Sequence, residues 1–112
     1  MKRLSTFALI ALSVAVASIT LPSAVRAQSP AEQRGRTFVN ANCSGCHSID
    51  KLSPSPLLPA PPFRDLHLRY PVESLAESLA EGIRTGHPTM PEFRLDPGQI
   101  RDVIAYLKSL ER

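Results

Sequence analysis

Cys43-Ser44-Gly45-Cys46-His47 contains both cysteines of the 112-residue chain. Two thiols about one helical turn apart can each add to one vinyl group of a haem, and the next side chain then falls beneath the iron. The spacing therefore predicts attachment of one haem c through Cys43 and Cys46, with His47 as the proximal iron ligand. Three other chemistries use the same residue types. A dithiol redox pair wants a βαβ pattern around it, and none is visible. A zinc site needs about four ligands, so another histidine would have to join these three, and adjacent Cys and His fit one tetrahedron poorly. A disulfide closing so short a loop removes little chain entropy.

An iron held by His47 also needs its opposite face specified. Met90 is the only methionine besides Met1. It stands in Gly86-His87-Pro88-Thr89-Met90-Pro91, where Pro91 biases it toward an extended backbone that can project a side chain from a loop. A lone methionine ordinarily fills a core gap. Met90 lies outside any periodic apolar stripe, however, and is the expected second axial ligand. His67 and His87 are its rivals: a bis-histidine site would lower the potential, and an open site would admit small molecules. Arg64, Arg69 and Arg84 are candidate partners for the haem propionates.

Helices and proline-rich loops must position these groups. Ser29 as cap, Pro30 at the first helical position and Glu32 in the first turn predict a helix from Ala31 to about Asn42, running directly into the cysteines. Gly35 and Phe38 share one face of it. A glycine there suggests either a closely packed neighbour or a tolerated, exposed turn. Pro54, Pro56, Pro59, Pro61 and Pro62 exclude helix and central strand from a loop running from Ser48 to about Pro62. That loop reads as a stiff wall whose carbonyls could accept the second N–H of His47.

Residues 63–70 are ambiguous, with room for one short helical turn. Pro71 then opens a helix on a stripe of Val72, Leu75, Ala76, Leu79, Ala80 and Ile83, with Glu73, Glu77 and Glu81 on the solvated side. Gly82 or Gly86 ends it. Asp96, Pro97 and Gln99 start the last helix in a capping-box-like arrangement, and Ile100, Val103, Ile104, Leu107 and Leu110 form its buried stripe, bordered by Tyr106. No alternation of β-branched and polar residues suggests a strand. The fold class is all-α, with three main helices and Pro-rich loops.

Lys2 and Arg3, an apolar run from Leu4 to Leu21 and the exit Val25-Arg26-Ala27 predict a secretory signal peptide over 1–27, with the domain proper over 28–112. A membrane anchor is the alternative, diluted by Ser5, Thr6, Ser13, Ser18 and Thr20. Without Lys2, Arg3 and Arg26, the thirteen basic residues become ten, equal to the ten acidic ones. With no basic run and few aromatics, nucleic acid is not an expected partner. A domain this small needs a supplement to its apolar core, and a covalently held porphyrin supplies one.

The chain resembles a class I cytochrome c, one of the small bacterial periplasmic members. The resemblance rests on Cys43-Ser44-Gly45-Cys46-His47, Met90-Pro91 with Phe93 following, Gly35 with Phe38, and Tyr106. It implies a cytochrome c-like domain whose first and last helices cross through a glycine-aromatic contact. It further implies an electron carrier rather than an enzyme, exchanging electrons with periplasmic or membrane-bound redox proteins. The Pro61 carbonyl is the implied partner of His47.

Overall fold

The structure, a computed structural model, describes residues 26–82 and 89–111. The expected signal segment therefore lies almost wholly outside the described residues, as do Ile83, Arg84, Gly86 and His87. Three α-helices are present among the described residues: α1 (Pro30–Asn42), α2 (Leu75–Glu81) and α3 (Pro97–Leu110). No strand occurs there, in agreement with the expected all-α class.

Both long helices begin on closed capping boxes. The Ser29 hydroxyl accepts from the Glu32 amide at 3.2 Å while the Glu32 carboxylate accepts from the Ser29 amide at 2.9 Å. Asp96 accepts from the amides of Gly98 and Gln99, and the Gln99 side chain accepts from the Asp96 amide. Each box satisfies N–H groups that have no partner inside the helix. Pro30 and Pro97 follow the caps, where their missing N–H costs nothing.

α1 and α3 cross at Gly35, which is buried rather than on an exposed turn. A Cβ added to Gly35 would lie 1.9 Å from the Asp102 carbonyl oxygen and 2.9 Å from the Tyr106 Cβ, so the backbones meet at a distance only glycine permits. The expected glycine-aromatic crossing is thus made with Tyr106. Beside it, Arg34 donates two bonds to the Asp102 carboxylate, at 2.7 and 2.9 Å. That guanidinium holds the Asp102 carboxyl below its usual range. Tyr106 is buried instead of bordering the stripe, and its hydroxyl donates to the Ile49 carbonyl at 2.6 Å, tying α3 to the start of the proline-rich loop.

Val39, Leu66, Val72, Val103, Tyr106, Leu107 and Leu110 form the buried core. The ambiguous stretch after Pro62 is a 3-10 helix over Phe63–Leu68, which inserts Leu66 into that core. The helix expected from Pro71 begins instead as a 3-10 turn, Val72–Ser74, and becomes α-helical at Leu75. Its stripe is only partly realised: Val72 is fully buried, Leu75 and Leu79 are half-buried, and Ala80 is exposed. Leu75 and Leu79 line a cavity. Gly82 closes α2 in the left-handed conformation at φ 78°, and the Leu95 amide donates to the Leu79 carbonyl at 2.9 Å, bringing the Met90 segment back against α2.

Gly35→Ala should force the two long helices apart and destabilise the fold by about 1–3 kcal/mol. The urea midpoint of the holoprotein measures this, and an unchanged midpoint would contradict the close crossing.

Candidate cofactor site

α1 delivers the cysteines directly. The Cys43 amide caps the helix by donating to the Val39 carbonyl at 2.8 Å, and the Cys46 and His47 amides both donate back to the Cys43 carbonyl, at 3.1 and 2.9 Å. Residues 43–47 are therefore one tight turn continuing from α1. Cys43 is half-buried and Cys46 exposed. Burial, with a smaller effect of Cys46, pushes the free Cys43 thiol up to about 11. A reactive dithiol wants a lowered value at the attacking thiol, and Cys43 has the opposite. Among the described residues no group of three or more His, Cys, Asp or Glu could hold a metal ion.

His47 is buried, and its Nδ1–H donates to the Pro61 carbonyl at 2.8 Å. A carbonyl can only accept, so the proton sits on Nδ1 and Nε2 keeps the ring's lone pair. The Phe63 ring lies 4.7 Å from the imidazole, centroid to centroid, at 34°, limiting the tilt of His47. The Pro61 carbonyl is itself held. The Phe63 amide donates to the Ser48 carbonyl at 2.9 Å, and the Ser48 amide donates to the buried Ser55 hydroxyl at 3.0 Å. Arg64 Nη1 donates to the Ser53 carbonyl at 2.8 Å and to the Ser48 hydroxyl at 3.2 Å.

Cys43, His47 and Met90 line one cavity of about 410 Å³, although 47 positions separate Cys43 from Met90 in the chain. A volume of that order is usual for a bound small molecule or cofactor. Phe38, Val39, Leu66, Val103 and Leu107 form much of the apolar wall, with Leu75 and Leu79 of α2. Phe38 meets Phe93 edge to face at 6.1 Å, joining α1 to the segment that carries Met90. His67 is exposed and does not line the cavity. Of the arginines, Arg69 lines it, Arg64 bonds the loop and Arg84 lies outside the described residues.

The donor set fits an iron porphyrin: an apolar cavity with the Cys43 thiol in its wall, a second thiol at Cys46 in the turn that follows, and an imidazole fixed in the tautomer that leaves Nε2 for a metal. Sequence reasoning missed the Phe63 ring against His47, the Arg64 clamp and the contribution of Leu75 and Leu79 to the cavity. An aromatic directly after Pro61-Pro62 was the available signal for the first; for the clamp there was none.

These features define a protein built to hold a haem within helices. The family model described as Cytochrome c matches residues 32–111, and the chain belongs to that family. It is accordingly a c-type cytochrome carrying covalently attached haem c with its iron, in the service of electron transfer with redox partner proteins. Comparison with curated proteins and with solved structures gave no match.

Asp50 fastens the start of the loop behind His47, its Oδ1 accepting from the amides of Ser53 and Leu52 at 2.6 and 2.7 Å. Those bonds bring its carboxyl down to about 2 from an ordinary 3.8. The folded value is the lower one, so the stabilisation is present above the ordinary value and is lost as pH falls through about 2. Asp50→Asn should therefore lower the melting temperature at neutral pH, with the difference from wild type shrinking in strong acid. A pH series of thermal melts measures it, and a pH-independent difference would contradict the assignment.

Proposed function

We propose that the chain is an exported carrier of single electrons, with Cys43 and Cys46 as the attachment thiols and His47 and Met90 as the two axial ligands. The observation that carries this reading is the convergence of Cys43, His47 and Met90 on one apolar cavity, with His47 Nδ1 already committed to the Pro61 carbonyl. The haem iron supplies a one-electron ferrous–ferric couple when bound.

The residues set the terms of that couple. His47, its N–H engaged by Pro61, is a more basic nitrogen donor than a free imidazole. The Met90 thioether is a soft ligand that favours the reduced metal and raises the potential. Apolar side chains around both ligands exclude water and disfavour the extra positive charge of the oxidised state. Phe63 and the proline-rich loop hold His47 in one orientation, so little rearranges when the charge changes. No general acid or nucleophile enters this scheme, and the chain acts as a carrier rather than as an enzyme.

Residues 1–27 have the charge, apolar run and small-residue exit of a cleaved signal peptide, which supports a periplasmic location for the domain over 28–112. Donor and acceptor are then periplasmic or membrane-bound redox proteins. The resemblance to small bacterial class I members supports the same reading.

Met90→Ala should leave haem attached while abolishing the methionine-to-iron charge-transfer band of the ferric protein and opening the reduced protein to rapid carbon monoxide binding. An unaltered spectrum would remove Met90 from the iron. Rapid, complete carbon monoxide binding by the wild type would overturn the carrier reading in favour of a ligand-binding one.

A further inference from the structure

Cleavage after Ala27, the reading above, makes Gln28 the first residue of the mature chain. An amino-terminal glutamine differs from every internal one, because its own α-amine lies within reach of its side-chain carboxamide. That amine ionises near neutrality, so an appreciable fraction is unprotonated and nucleophilic there. Attack on the side-chain Cδ closes a five-membered ring, a step favoured because both partners belong to one residue. The fold holds one side of this residue only. The Gln28 carbonyl accepts from Gln33 Nε2 at 3.2 Å, and the Ser29 amide donates to the Glu32 carboxylate at 2.9 Å. The peptide group between Gln28 and Ser29 is therefore anchored at both its oxygen and its nitrogen by the first turn of α1. Gln28 itself is exposed and precedes the helix, and among the described residues no hydrogen bond engages its side-chain amide.

We infer that Gln28 is a modification site and that the mature chain begins with pyroglutamate. This rests on signal cleavage after Ala27. The α-amino nitrogen forms a bond to the side-chain Cδ, the Cδ–Nε2 bond breaks, and the amide nitrogen leaves as ammonia with the proton that the amine gives up. Nothing is oxidised or reduced, and no co-reactant is consumed. The ring takes up the amine, the Cα and the side-chain carbons while the main-chain carbonyl stays outside it, so the bond from Gln33 survives. Charge favours the product as well. The free amine would be a cation one residue before the cap of α1, where the helix dipole is positive. Gln28 shares a surface groove with Glu32, Arg36, Asp50 and Lys51, whose acids and cations balance once Arg26 has left with the signal segment. The lactam is neutral and keeps that balance. It also closes the chain to aminopeptidases, which need a free α-amine, and so protects Ser29, the cap of the helix that delivers Cys43 and Cys46.

The mass of the amino-terminal tryptic peptide tests this, read from holoprotein freshly isolated from a host that exports the chain and attaches haem. Trypsin cuts after Arg26 and after Arg34, so a peptide 28–34 arises only from a chain already cleaved after Ala27. That peptide should be lighter than its sequence by the mass of one ammonia, and the intact protein should show the same deficit. Edman degradation should give no sequence until pyroglutamyl peptidase has removed the first residue, and should then start at Ser29. The exported variant Gln28→Ala should attach haem as the wild type does, yet give sequence directly and lose its first residue to a general aminopeptidase that leaves the wild type intact. A 28–34 peptide of full mass with a free amine would overturn the proposal while leaving the cleavage reading in place. A first tryptic peptide beginning at Ala27 would show that the chain was not cleaved there, and would overturn both.

Discussion

An imidazole has one N–H and one lone pair, and in this protein the Pro61 carbonyl decides which nitrogen carries which. The 2.8 Å bond from His47 Nδ1 leaves Nε2 as the donor atom, and the Phe63 ring limits how the imidazole can turn. Much of the remaining structure keeps that carbonyl where it is. Ser48 holds Phe63, Ser55 holds Ser48, and Arg64 and Asp50 fasten the loop between them. The prolines limit the conformations this segment would otherwise sample. A loop that looks structureless in outline is therefore a stiff wall behind His47.

The second constraint is the helix crossing. Gly35 lets α1 and α3 approach until backbone meets backbone, and the Arg34–Asp102 pair and the Tyr106 hydroxyl secure the contact from either side. Since the cysteines follow the end of α1 without an intervening loop, fixing α1 fixes them. Val39, Val103 and Leu107 belong both to the core between these helices and to the cavity wall. Core and cofactor site are consequently one apolar body, and a bound haem completes the packing of a domain otherwise short of buried surface.

The parts legible in the sequence were those governed by local chemistry. Ser29, Asp96 and their following prolines announce the two long helices because caps act within four residues. The thiol spacing announces haem attachment because one helical turn sets it. The Pro61 partner of His47 came from family resemblance, and no local rule selects it among five nearby proline carbonyls. The start of α2 was misread because the apolar spacing of Val72 with Leu75 suits an α-helix and a 3-10 turn alike. The place of Leu75 and Leu79 in the cavity wall was invisible for a different reason: the periodicity marks which face is apolar, and says nothing of whether protein or cofactor covers it. The Arg64 clamp joins residues 11 and 16 positions apart through loop carbonyls and a hydroxyl, a contact that depends on the folded path alone.

The central claim is that Cys43 and Cys46 hold a haem covalently. Its most direct test is the mass of the tryptic peptide spanning 37–51, which lies between Arg36 and Lys51 and contains both cysteines. Taken from protein made in a host competent to attach haem, that peptide should carry the porphyrin covalently and give a c-type pyridine haemochrome. An unmodified 37–51 peptide, or haem that extracts into acidified organic solvent, would contradict the account.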